Sequence, residues 1–95
     1  MIMADERIKT NIKTIENALE KTLLLRGVEY YDFRIEPDRK RIGLIAQEVE
    51  LIIPEVVGEG EIDKIKNISY GPIVGLLIEA IKEQQKQILK LLNMH

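Results

Sequence analysis

Few side chains in this 95-residue chain can do covalent or metal chemistry, and their spacing excludes most reaction classes. The only histidine, His95, is the last residue, where a chain end frays, so no Ser/His/Asp triad can be built around it. Zero cysteines remove thiolate nucleophiles, disulfides and zinc–thiolate sites together, and fit any redox compartment. The 6 glycines are scattered and none opens a Gly-x-Gly-x-x-Gly run, so no phosphate cradle is read. Neither a cofactor nor a metal site is expected. Carboxylates are plentiful, but Glu48 and Glu50 fall on a helical surface, where solvated charge is the ordinary reading and a catalytic pair the exception.

The elements that would position any site fit one domain of α+β class, spanning 1–95. Hydrophobic residues make up 45% of the chain and are almost all aliphatic, with one Phe, three Tyr and no Trp. A domain of this size buries only about 60–65% of its unfolded surface, so its own core is marginal. With no disulfide and no metal cluster, self-association is the cheapest added burial. Fourteen basic and 16 acidic residues are interleaved to a net charge of −2, without a basic stripe, so nucleic acid is not an expected partner. No apolar run reaches about 18 residues, so no membrane partner is expected either. The opening Met1-Ile2-Met3 is too short for a signal peptide and reads as a cut from something longer.

Along the chain, Ile15, Ala18, Leu19, Thr22 and Leu23 recur at helical spacing before Gly27, predicting a helix over 15–26. The residues of 28–35 are β-branched and aromatic, 36–40 hold Pro and Asp suited to a turn, and 41–45 resume, which predicts a β-hairpin. A short helix over 46–52 stops at Pro54; 55–57 form a brief strand, 58–60 a turn, and 62–68 a third strand. Ser69-Tyr70-Gly71-Pro72 starts a helix over 73–93, about 21 residues or roughly 31 Å long.

That last helix carries a heptad. Val74, Ile81 and Ile88 are seven apart; Leu77, Gln84 and Leu91 are seven apart and offset by three. Glu79, Lys82, Glu83, Lys86 and Lys90 all avoid those positions. A helix packed only on its own domain would also be amphipathic, and Leu76, Ile78, Leu89 and Leu92 widen the stripe beyond a strict seam. The two readings are reconciled if the first half packs on the body and the second projects into a bundle of copies.

One further run, Ala4-Asp5-Glu6-Arg7-Ile8-Lys9, stands with several blocks downstream. These are Leu25-Arg26-Gly27-Val28-Glu29-Tyr30, Ile42-Gly43-Leu44-Ile45-Ala46-Gln47-Glu48-Val49, Pro54-Glu55-Val56-Val57 and Ile78-Glu79-Ala80-Ile81-Lys82-Glu83-Gln84. In this order, from about residue 4 to residue 92, they closely resemble the intramolecular chaperone, or peptidase S74, domain at the C-terminus of bacteriophage tail spikes, tail fibres and endosialidases. The Gly-Leu-Ile-Ala-Gln-Glu-Val and Ile-Glu-Ala-Ile-Lys-Glu-Gln blocks are the specific ones.

The resemblance implies a homotrimer, a C-terminal three-helix coiled coil, and an upstream tail fibre or spike in the same chain. It implies a virion tail precursor made in the host cytoplasm, whose chaperone is released by self-cleavage. In such domains the cut falls just before a Ser, and a Lys five residues on completes a Ser-Lys dyad. Residue by residue, Lys9 takes the base position, Asp5 and Arg7 match the motif, and Ala4 stands where the nucleophile would be. The bond at issue is Met3–Ala4, with 1–3 as an upstream remnant. Alanine has no hydroxyl, so this chain is expected not to cleave. The trimer interface implied is Val74, Leu77, Ile81, Gln84, Ile88 and Leu91. The competing readings are a plain oligomerisation adaptor without proteolysis and a DNA-linked regulator module, the second disfavoured by the near-neutral charge.

Overall fold

A computed structural model describes residues 2–94; the terminal His95 therefore lies outside the described residues. The chain forms two compact units, Met1–Thr22 with Tyr70–His95, and Leu23–Ser69. The class is α+β: two antiparallel hairpins, short helices and one long C-terminal helix.

In the first unit a 3-10 turn (Glu6–Ile8) is followed by irregular chain, then most of α1 (Ala18–Leu24, whose last two residues belong to the second unit) and α3 (Tyr70–Leu92). The helix expected over 15–26 is shorter at both ends. Asn17 has φ 57°, a left-handed conformation that Asn tolerates and that interrupts any helix running through it. α3 is uninterrupted and starts at Tyr70, so Pro72 stands in its first turn, where the missing N–H does no harm. The apolar core of this unit is Ala18, Ile73, Leu76 and Ala80, each at most 6% exposed.

The second unit opens on β1 (Val28–Asp32), paired antiparallel with β2 (Glu36–Gly43). The predicted hairpin is present, but its turn is 33–35 rather than 36–40. Asp32 decides this. Its Oδ1 accepts the Arg34 N–H at 3.0 Å while its carbonyl accepts the Ile35 N–H at 3.1 Å, closing a tight turn at once. The Pro-containing stretch is left as an irregularity. Between the pairs Tyr30↔Arg41 and Asp32↔Glu36 the first strand advances two residues and the second five. Pro37, which has no ladder N–H to give, falls in that gap.

After β2 come α2 (Ala46–Glu50), a 3-10 turn (Pro54–Val56), β3 (Val57–Glu59) and β4 (Lys66–Ile68), the last two paired antiparallel. Residues 58 and 59, expected in a turn, are strand; the reversal is 60–65 instead, closed by Gly60 N–H to Ile65 O at 2.9 Å. Asp63 accepts the Ile65 N–H at 3.0 Å, and Lys64 takes a left-handed φ of 59°. Val49, Ile53 and Val56 form the core, Val49 being 1% exposed. The Lys66 ammonium stands 3.0 Å from Glu50 and 3.9 Å from Glu59, tying α2 to the second hairpin.

Candidate functional site

Ala4 and Lys9 lie at the two ends of a single 3-10 turn. Asp5 caps its start, its Oδ1 accepting the Arg7 N–H at 2.9 Å, and Lys9 closes it by donating its N–H to the Glu6 carbonyl at 3.1 Å. The Arg7 guanidinium returns along the same carboxylate, Nη2 to Oδ2 at 2.7 Å and Nε to both oxygens at 3.1 Å. This bidentate pair holds the Asp5 carboxyl below its ordinary range, the guanidinium first and the backbone amide second, and raises Arg7 in return. Asp5 and Arg7 thus fix the backbone between residues 4 and 9. Met3, Ala4 and Lys9 are all exposed on the single chain. Gly43, which could be imagined offering an amide to an oxyanion, is the last residue of β2 and pairs with Val28.

α3 divides its faces. Ile73, Leu76 and Ala80 are buried by the chain itself, whereas Val74, Leu77, Ile81, Ile88 and Leu91 remain 40–65% exposed and Gln84 is exposed with them. The heptad seam is therefore not consumed by the domain's own core. Beyond Glu83 every described residue of α3 is exposed on the single chain.

Sequence reasoning missed one residue. Among the charges that avoid the heptad seam, Glu83 is not simply solvated: Oε1 accepts the Ala18 N–H at 3.1 Å and Oε2 the Leu19 N–H at 2.8 Å. The carboxylate caps the start of α1 from another helix, meeting two orphan donors and the positive end of the peptide dipoles. The signal was present in the spacing. Positions 73, 76, 80 and 83 share one helical face, and a charge ending an otherwise apolar row needs a partner. Among the described residues no His/Cys/Asp/Glu group could hold a metal ion, and no helix is long and apolar enough to cross a membrane.

The chaperone-of-endosialidase family, peptidase S74, matches residues 4–58, beginning at Ala4. The chain belongs to that family. It is 37% identical over 97 residues to the long tail fiber protein Gp37 of Enterobacteria phage M1, covering 95% of this chain and 39% of that protein. It is 35% identical over 96 residues to the Gp37 of Enterobacteria phage K3, covering 95% of this chain and 8% of that protein. The Gp37 of Salmonella phage S16 is 32% identical over 102 residues, covering 95% of this chain and 13% of that protein. The chain thus spans well under half the length of these relatives, and it is a chaperone domain of the phage tail-fibre type.

Proposed function

We propose that residues 1–95 work as one module that gathers three copies of a tail fibre or tail spike, sets their register for folding, and in its cleavable form then leaves. The observation that carries this is the exposed heptad on α3 beside a separate, buried face. A row of Val, Ile and Leu left wet is unfavourable at about 25 cal/mol per Å², and two further copies offering the same row cover it. Intertwined fibres depend on contacts distant in sequence, whose loop entropy must be met before they form, and a trimerising end raises the effective concentration of the three chains. The occupants are two more copies of this chain and, upstream of residues 1–3, a fibre domain of the virion tail.

Self-release, where a serine occupies position 4, uses the turn described above. The hydroxyl adds to the Met3 carbonyl carbon as its proton passes to the Lys9 amine. The Met3–residue 4 C–N bond breaks, and the freed amine takes the proton. Water then hydrolyses the resulting ester to the Met3 carboxylate. A lysine serves as base only when desolvated, and Lys9 is exposed on the single chain, so burial must come from neighbouring copies. Assembly in this way gates the cut. With Ala4 the bond persists.

Sedimentation equilibrium at micromolar concentration is expected to give about 33 kDa, three times 11.0 kDa. A monomer there overturns the reading. An Ala4→Ser chain carrying an upstream tag is expected to shed it, and the same chain with Lys9→Ala is expected to keep it. Retention in both favours the plain oligomerisation adaptor.

A further inference from the structure

The stretch from Ile2 to Leu19 meets α3 at three places, and their order is the same on both. A methyl group in place of the Gly71 hydrogen would lie 2.6 Å from Cδ1 of Ile2, so the flexible tip of that exposed side chain would have to move aside. At Gly75 it would lie 3.8 Å from Cδ1 of Ile15, an ordinary contact distance. Farther along, Glu83 accepts the amides of Ala18 and Leu19. Neither glycine has positive φ, so neither is required by the backbone. Glycine inside a helix is costly in conformational freedom, and at Gly71 the gain is the room it leaves for a passing side chain.

The covalent chain cannot set this register. Twelve steps along α3 separate Gly71 from Glu83, roughly 18 Å at 1.5 Å per residue. The sixteen steps from Ile2 to Ala18 could reach roughly 53 Å if extended. The slack is taken up in the 3-10 turn and at Asn11, whose φ of 53° turns the chain sharply. Anchors, not chain length, must decide where residues 3, 4 and 9 fall.

We propose that one flank of α3 is the seat of the junction segment, with Gly71 receiving the side chain two residues before the cleaved bond and Glu83 acting as the positioning residue at the far end. The roles of residues 3, 4 and 9 rest on the reading under Proposed function; the seat itself does not. Asn17 sharpens the assignment. It stands immediately before α1 in a left-handed conformation, not the extended one of a side-chain cap, and the amides of Ala18 and Leu19 are met by Glu83 instead. Losing Glu83 therefore uncaps α1 and also leaves the segment without its charged tie to α3.

Two arms test this. Because the chain has zero cysteines, Ile2→Cys with Gly71→Cys introduces the only thiols. They are expected to pair within one chain under mild oxidation, and at least tenfold more slowly when Glu83→Ala or Glu83→Gln is added. Absence of pairing overturns the seat, and equal pairing with and without Glu83 overturns its positioning role. In the second arm the tagged Ala4→Ser chain is compared with its Glu83→Ala and Glu83→Gln versions at equal oligomeric mass and helix content. Release is expected to slow at least tenfold with Glu83→Ala and to an intermediate degree with Glu83→Gln. Equal rates overturn the tether. If Ala4→Ser does not cleave even with Glu83 intact, the self-release reading falls and the thiol arm still decides the seat.

Discussion

Aspartates at three turns do the same job. Asp5, Asp32 and Asp63 each accept the N–H two residues on, at 2.9, 3.0 and 3.0 Å, so a short side chain replaces a backbone partner where the chain reverses. At Asp5 the capped turn also sets the spacing between positions 4 and 9. The Arg7 contact lowers the Asp5 pKa, which means the ionised form is favoured in the folded turn. That contribution is whole above the carboxyl's unfolded value and disappears as pH falls through the lowered folded value. The Asp5 carboxyl resonance followed by NMR is therefore expected to titrate below that of an Arg7→Ala chain, with the Arg7 amide signal moving in step. Both groups are exposed, so global stability should change little.

At the scale of elements, the second hairpin turns on Gly60. A side chain there would collide with Oδ1 of Asp63, the atom that accepts the Ile65 N–H. Gly60→Ala must displace that carboxylate and is expected to lower unfolding free energy by roughly 1 kcal/mol, read from denaturant midpoints at unchanged slope. The elements themselves were largely legible. Aliphatic periodicity gave α3, and β-branched and aromatic residues gave β1. Boundaries depended on single side chains that periodicity does not weigh. Pro37 looked like the turn, but Asp32 closed one four residues earlier; Ile15 matched the helical period, but Asn17 broke it. The motif positions 4 and 9 were legible through family likeness alone, since nothing in the composition singles out one lysine. Glu83 was hidden because its partners are backbone amides more than sixty residues away, which no side-chain pattern announces.

For the molecule as a whole, the described core is small. Seven apolar residues are buried among those described, while many aliphatic side chains stay exposed. In the proposed trimer much of the stability would reside in association, so breaking the seam should cost more than its place on the surface implies. Ile81→Lys puts a charge at a seam position 65% exposed on the single chain, and it is expected to shift the micromolar mass from trimer to monomer. Lys82→Ala, outside the seam, is expected to leave the mass unchanged. The contact of Ile2 with Gly71 has a consequence for direction. The chain comes in beside the first turn of α3, while the far tip of that helix lies roughly 32 Å away at Leu92. In the proposed parallel trimer the three incoming segments would therefore all lie beside the first turns of α3, which gives the helix bundle a built-in head and tail.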